Sequence, residues 1–321
     1  MPPHLPLTPL HPGAAVALVV NAGSRRGAAA LPDVRRLLAT AGPRRLDVHP
    51  VVRGADLRPA LEAAVAGGPD LLVVGGGDGT VGCAADLVAG TDVPLGVLPL
   101  GTANDFARTL AVPTDVASAV DALRTGHVVD VDLGRADGRV FLNVASLGLS
   151  VGVTQRLTAR AKRWLGPAAY PAATLAAYRH HRPFAARLDF PGGDHAPLAL
   201  DDLLQVAVGN GVHYGGGNAV SPTASVDDHL LDVYAIVRGR LRDHVSIARF
   251  LRDGSFVEHE RVVHLTTRAV TVSTDRPMPV NLDGELAAGT PTAFAVERNA
   301  LHVVVPAHST AARLDGRDGP R

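Results

Sequence analysis

The stretch LLVVGGGDGTVG, residues 71–82, begins as an uninterrupted apolar run and continues into glycines that surround one aspartate and one threonine. An apolar run of this kind is typical of a strand buried on both faces of a parallel sheet. Glycines let backbone N–H groups approach an anion closely, and the start of a helix adds a partial positive charge. The stretch therefore predicts a phosphate-binding loop, although a glycine turn without a ligand would give the same pattern.

Asp78 is the unusual residue of this loop. A carboxylate repels phosphate unless a divalent cation lies between the two. The loop with its aspartate therefore predicts a nucleotide that arrives together with a metal ion.

A second stretch, LPLGTANDFARTL at residues 98–110, repeats this arrangement after the next apolar run. Gly101 would allow close approach of a ligand and Thr102 would donate a hydroxyl hydrogen bond. Asn104 and Asp105 precede a predicted helix, so capping of that helix is an alternative explanation for both side chains. Two such loops on neighbouring strands favour a binding edge.

Short apolar runs alternate with helical stretches between residues 14 and 130, which predicts an α/β domain with a parallel sheet. Ligands bind at the carboxyl ends of such strands. From residue 131 to 306 the runs are short and β-branched, which predicts a β-rich domain with a helical interruption at 151–182. We expect a disordered lead-in at 1–13 and a mobile tail at 307–321, whose return to the first domain is left open.

The composition limits the classes of function. The 321 residues are 46% hydrophobic and carry 31 basic and 31 acidic side chains, so no global field favours nucleic acid. The single cysteine, Cys83, excludes an intramolecular disulfide and fits a reducing compartment. No apolar run approaches the roughly 18 residues that span a bilayer, and we expect a cytoplasmic protein.

Six ordered motifs resemble the diacylglycerol kinase catalytic family, which includes bacterial lipid kinases and sphingosine kinases. The motifs are VVNAGSRRG (19–27), GGDGT (76–80), PLGTANDFAR (99–108), FLNVASLG (141–148), NGVHYGGGNAVSPTASVDDHLLDV (210–233) and LDGE (282–285). The resemblance implies a nucleotide domain like that of NAD kinases and phosphofructokinases, followed by a β-sandwich domain. It also implies transfer of the γ-phosphoryl group of MgATP to the hydroxyl of diacylglycerol or a related lipid alcohol.

The resemblance also implies roles for individual residues. Asp78 and Asp105 would organise the catalytic Mg²⁺, and either Asp283 or Glu285 would be the general base. The LDGE stretch is equally consistent with an ordinary turn. The nucleotide contacts would be Asn21, Ala22, Gly23, Ser24, Arg25, Gly76, Gly77, Asp78, Gly79, Thr80, Gly101, Thr102 and Asn104.

A structural Mg²⁺ loop is implied within SVDDHLLDV, residues 225–233. The carbonyl groups of Ser225 and Leu230 and the carboxylate of Asp228 would be its ligands. Oxygen donors of this kind suit a hard cation, but a solvated acidic turn is an alternative. His229 replaces a glycine usual in this loop, so either backbone strain or loss of the metal is expected.

Other positions also depart from the family pattern. Ala22 replaces a proline, and the inserted pair Arg25 and Arg26 could meet phosphate or be exposed charges at the start of a helix. Gly82 and Cys83 stand where asparagine and glutamate are usual. These changes predict altered nucleotide affinity with the phosphate-binding glycines retained.

A lipid kinase without a membrane span must contact the bilayer surface transiently. A candidate helix within QRLTARAKRWLG, residues 155–166, places Leu157, Ala161, Trp164 and Leu165 on one face and Arg156, Arg160 and Arg163 on another. A helix packed on its own domain is the alternative. We therefore expect a cytoplasmic protein that is peripheral at the membrane, and leave a homodimer open.

Two other functions fit parts of the sequence. An NAD kinase or phosphofructokinase would share the GGDGT loop, but the later motifs favour a lipid kinase. A non-catalytic regulator that binds lipid or nucleotide would not need the acidic residues, although Gly82 and Cys83 are compatible with it.

Overall fold

The computed structural model describes residues 9–156 and 181–311. The first part of the chain forms a parallel sheet with strand order β2-β1-β3-β4. Its strands are β1 (Ala15–Asn21), β2 (Arg45–Val51), β3 (Leu71–Gly76) and β4 (Leu95–Pro99). Its helices are α1 (Arg25–Thr40), α2 (Leu57–Ala66), α3 (Asp78–Val88), α4 (Asp105–Thr109) and α5 (Val116–Thr125).

The continuous apolar runs form the interior of this sheet, as predicted. Every residue of β3 and β4 is buried, and β1 is buried except at its last residue. Strand β2 was not predicted, because it is an edge strand whose residues are mostly half-exposed and include Pro50. Edge strands tolerate proline because one side of the backbone has no partner strand.

The second part of the chain is mostly antiparallel sheet, which confirms the predicted β-rich domain. Its strands begin with β5 (His127–Ala136), β6 (Arg139–Phe141), β7 (Val144–Gly148), β8 (Phe184–Asp189), β9 (Leu198–Gly209), β10 (His213–Tyr214) and β11 (Asn218–Ala219). They continue with β12 (Leu231–Val237), β13 (Val262–Thr267), β14 (Ala269–Thr274), β15 (Pro279–Leu282), β16 (Glu285–Gly289) and β17 (Thr292–Val305). Among the described residues, two helices interrupt them, α6 (Leu149–Arg156) and α7 (Leu241–Arg249).

The long strand β17 joins the two parts of the molecule. Its first four residues pair with β14, while Val303 pairs in parallel with Leu95 of β4. Strand β5 pairs with β17 along nearly its whole length. As a result, residues 301 and 303–305 pack in the core of the nucleotide-domain sheet, although they follow the β-rich segment in sequence.

The candidate membrane helix at 155–166 lies largely outside the described residues: residues 157–180 are not described, nor is the Arg156 side chain. Among the helices that are described, none has both the length and the apolar character needed to cross a bilayer.

Candidate functional site

The predicted glycine loops meet at the carboxyl edge of the parallel sheet. The loop after β3 and the loop after β4 touch directly: a β-carbon built on Gly101 would stand 2.3 Å from the Cα atom of Gly77. The Gly101 amide also donates to the carbonyl oxygen of Gly76, at 3.0 Å. Because the two backbones approach each other so closely, position 101 has room only for glycine.

The loop after β1 lies beside them. Ser24 caps α1, because its hydroxyl accepts the Gly27 amide at 2.9 Å. A β-carbon on Gly23 would stand 2.1 Å from the Val52 carbonyl oxygen, so the loop is packed against the end of β2. Asn21 and Ala22 are half-buried and Arg25 is exposed in the first turn of α1. The nucleotide residues predicted here thus lie together at one edge.

Asp78 is the first residue of α3, and its orientation is fixed by the neighbouring loop. Its Oδ1 atom accepts the backbone amide of Phe106 at 3.0 Å. Thr80, one turn into α3, is buried and packs on Gly76, where a β-carbon would stand 2.5 Å from the threonine side chain. The GGDGT residues therefore form one compact unit that presents Asp78.

The side chain of Asn104 fastens the second loop. Asn104 is at the cap position of α4 with φ 52°, but its side chain makes no capping hydrogen bond. Instead, its Oδ1 accepts the Gly101 amide at 2.9 Å and its Nδ2 donates to the Gly101 carbonyl at 3.0 Å. Thr102, between them, is exposed. The capping explanation for Asn104 is wrong, and this side chain shapes the loop.

Asp105 is 4% exposed and reaches the second domain. Its two carboxylate oxygens lie 3.1 and 2.9 Å from the backbone nitrogen of Gly216, which donates to them. Burial raises the pKa of Asp105, and the nearby Asp78 carboxylate adds to this effect. Capping is therefore not the role of Asp105 either; it joins the two domains beside the glycine loops.

Asp283 is enclosed by three backbone amides. Its Oδ2 accepts the Leu142 amide at 2.6 Å, and its Oδ1 accepts those of Asn143 and Val144 at 2.9 and 3.0 Å. Burial nevertheless raises the pKa of Asp283 to about 6, and the Asp78 carboxylate contributes. Asp283 itself has φ 47°, in the left-handed region. Its carboxylate thus holds the turn at the end of β15 against the start of β7.

Glu285 lies two residues further on and is exposed. Its Oε1 atom is 3.5 Å from the position that a β-carbon on Gly79 would occupy. The LDGE turn of the second domain therefore carries an exposed carboxylate to the first turn of α3, one residue from Asp78. Asp283 and Glu285, the two candidates for the general base, therefore both lie near this edge but in different surroundings.

The charges at this edge fit a divalent cation. The Asp78 carboxylate lies close enough to both Asp105 and Asp283 to contribute to the raised pKa of each. No group of three or more His, Cys, Asp or Glu side chains in the described part of the chain is arranged to hold a metal by itself. Such a cation would therefore depend on phosphate oxygens and water for most of its ligands.

The predicted structural metal loop, residues 225–233, also contains several carboxylate oxygen donors. Burial raises the pKa of Asp228 to about 6, and the carboxylates of Asp232, Asp132 and Asp227 contribute. A cation held by Asp228 and the carbonyls of Ser225 and Leu230 would offset this repulsion, so the donors fit a hard ion.

His229 adopts φ 62°, as the glycine it replaces would allow. Its backbone amide donates to Asp132 Oδ2 at 2.7 Å, and its Nδ1 lies 3.0 Å from Asp132 Oδ1. These contacts hold the loop in the left-handed conformation despite its β-carbon.

Several contacts at the site were not predicted from sequence. Arg26 donates to the carbonyl oxygens of Gly101 at 3.3 Å and Thr114 at 2.9 Å, so the second arginine of the inserted pair connects α1 to the second glycine loop. The backbone amides of Phe106 and Gly216 hold Asp78 and Asp105. Backbone donors leave no residue-specific signal, so motif reading alone would not find them.

Family models match both parts of the chain. The model described as "Diacylglycerol kinase catalytic domain" matches residues 15–136. The model described as "YegS C-terminal NAD kinase beta sandwich-like domain" matches residues 143–305. The two matches follow one another in the same order as the two parts of the fold.

Relatives share this order over most of the chain. A "Probable lipid kinase YegS-like" of Pseudomonas syringae pv. tomato is 35% identical over 266 residues, covering 82% of this chain and 85% of the relative. A "Diacylglycerol kinase" of Mycobacterium tuberculosis is 35% identical over 303 residues, covering 91% and 96%. The crystal structure of a candidate diacylglycerol kinase from Bacillus anthracis has TM-score 0.78 and 26% identity, covering 92% and 96%. The chain therefore belongs to the diacylglycerol kinase family of lipid kinases, with a catalytic domain followed by a YegS-type second domain.

Proposed function

We propose that this protein transfers the γ-phosphoryl group of MgATP to the hydroxyl of diacylglycerol or a related lipid alcohol. One observation carries the proposal. Glu285, from the second domain, brings an exposed carboxylate to the first turn of α3, where the phosphate loop and Asp78 lie. A site that only bound nucleotide would have no need of a carboxylate from another domain at this point.

The glycine loops would hold the triphosphate. Gly77, Gly79 and Gly101 lack side chains where the loops after β3 and β4 meet, so their backbones can approach phosphate oxygens. The start of α3 adds the partial positive charge of a helix N-terminus, and α3 is 11 residues long. The loop at Asn21 and Gly23 would extend this surface toward β2.

Asp78 and Asp105 are the residues that would hold Mg²⁺ at the reaction centre, directly or through water. When bound, the ion neutralises charge on the phosphate oxygens that face these carboxylates. Asp228 with the carbonyls of Ser225 and Leu230 would hold a second, structural ion. Both assignments rest on carboxylates that lie beside one another: Asp78 beside Asp105, and Asp132, Asp227 and Asp232 beside Asp228.

Glu285 is the residue we assign as proton acceptor. As the lipid oxygen bonds to the γ-phosphorus, the bond from that phosphorus to the β–γ bridging oxygen breaks and ADP leaves. The hydroxyl proton passes to the Glu285 carboxylate. Asp283 is less suited, because its two oxygens already accept three backbone amides.

A lipid acceptor also requires contact with a bilayer. We propose that the protein works at the membrane surface, consistent with the absence of a spanning helix from the described residues.

The test is transfer of labelled γ-phosphate from MgATP to a panel of lipid alcohols in mixed micelles. Diacylglycerol, monoacylglycerol and sphingosine are the lipid arms, and NAD and fructose 6-phosphate are the rival acceptors. We expect a labelled lipid that disappears with Glu285→Gln. Labelled NADP or sugar bisphosphate would overturn the lipid assignment, and binding of ATP without any product would indicate a non-catalytic protein.

A further inference from the structure

The short helix α4 is clasped by a hairpin of the second domain. The hairpin, residues 213–219, comprises β10, β11 and the glycines between them. Asp105 and Thr109 stand four residues apart, so they share one face of α4. Asp105 accepts the Gly216 amide, and Thr109 Oγ1 accepts the His213 amide at 3.2 Å. We call these contacts the α4 clasp.

Glycine is needed at the tip of the clasp. Gly215, Gly216 and Gly217 have φ values of 60°, 89° and 103°, a region that side chains rarely adopt. A β-carbon on Gly217 would also stand 3.2 Å from the Nε atom of Arg108, so this side chain lies against the glycine backbone. The tip is therefore shaped to meet α4 at close range.

The contact between Thr109 and His213 has two parts. Besides the amide bond, Thr109 Oγ1 lies 3.2 Å from His213 Nδ1. The hydroxyl accepts from the amide and can donate to Nδ1 when that nitrogen carries no proton. Burial, together with the charge of Arg108, lowers the pKa of His213, which favours that neutral ring. Thr109 is buried, so its hydroxyl depends on these partners.

The α4 clasp is connected to Asp78 through a single backbone amide of α4. The amide that holds Asp78 Oδ1 belongs to Phe106, in the first turn of α4 between Asp105 and Thr109. Since α4 has only five residues, its intrahelical hydrogen bonds cannot fix its position alone. The placement of the Phe106 amide, and with it the direction of the Asp78 carboxylate, therefore depends on what holds α4.

We propose that Thr109 and His213 are positioning residues that orient Asp78 through α4. The proposal rests on the kinase function proposed above, in which Asp78 faces the metal nucleotide. Neither residue touches the reacting atoms in this account. They act by keeping the Phe106 amide at the Asp78 carboxylate.

The first experiment tests the clasp without any substrate. Amide hydrogen exchange of the apo protein is compared for wild type, Thr109→Val and Thr125→Val. Thr125 is the matched control, because its hydroxyl also bonds within the protein, to the Asp121 carbonyl at 2.9 Å, but lies on α5. We expect exchange at Phe106 and Gly216 to accelerate about five- to tenfold in Thr109→Val only, as loss of one hydrogen bond predicts. Unchanged exchange at both amides would overturn the proposal.

The second experiment is a double-mutant cycle. Phosphoryl transfer is measured for Thr109→Val, Asp78→Asn and the double variant, with Thr109→Ser as the conservative rescue. We expect Thr109→Val to lower kcat about five- to tenfold in the wild-type background and to have little further effect when Asp78 is already changed. Equal effects in both backgrounds would show that Thr109 does not act through Asp78.

The two experiments distinguish a failure of the proposed kinase function from a failure of the α4 clasp to position Asp78. If wild type phosphorylates no lipid, the proposed function fails, whereas the exchange result still decides whether the clasp holds α4. Thermal unfolding of Thr109→Val shows whether the variant remains folded. If it does not, His213→Ala takes its place in both experiments, since it removes Nδ1 but keeps the backbone amide.

Discussion

Glu285 Oε1 lies 3.5 Å from the point where a β-carbon on Gly79 would stand. The first residue begins strand β16 in the second domain, and the second belongs to the first turn of α3 in the nucleotide domain. This relationship makes the site an interdomain site. A β-carbon at position 79 would be in van der Waals contact with the Glu285 carboxylate, so the two domains meet closely at this point.

Replacing Gly101 with alanine should disrupt the phosphate loops. The added β-carbon would meet the Cα atom of Gly77 at 2.3 Å and the Oδ1 atom of Asn104 at 2.6 Å. Backbone cannot yield as a flexible side chain does, so we expect nucleotide affinity to fall at least tenfold and the midpoint of thermal unfolding to drop. Calorimetric titration with ATP and thermal unfolding measure these effects.

Gly82→Ala is the matched control for that change. Gly82 lies inside α3, and a β-carbon there would meet nothing within 4 Å. Alanine should stabilise the helix by about 0.5–1 kcal/mol, because it loses less backbone entropy than glycine. A Gly101→Ala variant that bound ATP as tightly as Gly82→Ala would contradict the packing account of the two loops.

Arg26→Ala should weaken nucleotide binding without direct contact between Arg26 and the nucleotide. Its guanidinium donates to the carbonyl oxygens of Gly101 and Thr114, which fixes the second loop against α1. Because an exposed hydrogen bond contributes about 0.5–1.5 kcal/mol, we expect the KM for ATP to rise about two- to tenfold. Steady-state kinetics with varied ATP measure this change.

Arg36→Ala is the control for Arg26, since Arg36 lies on the same helix and pairs only at the surface with Asp33, at 3.1 Å. A KM for ATP that rose equally in both variants would mean that the effect is one of general charge. In that case the tie between Arg26 and Gly101 would not position the loop.

The buried carboxyl of Asp283 should make stability depend on pH. Burial raises its pKa from 3.8 to about 6 in the folded protein, so folding favours the protonated form. Its contribution to stability is therefore complete below pH 4 and is lost as the pH rises through 6, by about 3 kcal/mol. Denaturant unfolding in metal-free buffer, comparing wild type with Asp283→Ala, isolates this contribution.

The stability difference between wild type and Asp283→Ala should change with pH in one direction only. The stability advantage of wild type over Asp283→Ala should shrink between pH 4 and pH 7, since the variant keeps the three unpaired amides but has no carboxyl to titrate. An advantage that grew over that range would mean that the amide hydrogen bonds outweigh burial and lower the pKa of Asp283.

The fold could be predicted largely from the hydrophobic pattern. Continuous apolar runs such as residues 71–74 mark strands buried on both faces, and short β-branched runs after residue 131 mark the β-rich part. Strand β2 lacked this signal, because most of its residues are only half-buried at the edge of the sheet. The return of β17 to pair with β4 depends on contacts between residues more than 200 positions apart, which periodicity does not encode.

The glycines and the acidic residues of the site could be predicted from the sequence. The backbone amides that hold the carboxylates in place could not. Asp78, Asp105 and Asp283 were all identified as functional carboxylates, and the structure shows that each accepts backbone amides from another segment. Every residue except proline carries such an amide, so the sequence does not reveal which one is used. For the same reason, the sequence did not distinguish Asp283, whose carboxylate accepts three backbone amides, from Glu285, whose side chain is exposed.

The most direct test of the central claim compares Glu285→Gln with wild type in two assays, ATP binding by calorimetry and labelled phosphoryl transfer to diacylglycerol in micelles. We predict that the ATP dissociation constant stays within about twofold while transfer falls about 10²–10⁴-fold, as loss of a proton acceptor would cause. Asp78→Asn should instead impair both binding of MgATP and transfer. Full transfer activity in a folded Glu285→Gln protein would contradict the assignment of Glu285 as the proton acceptor at this interdomain site.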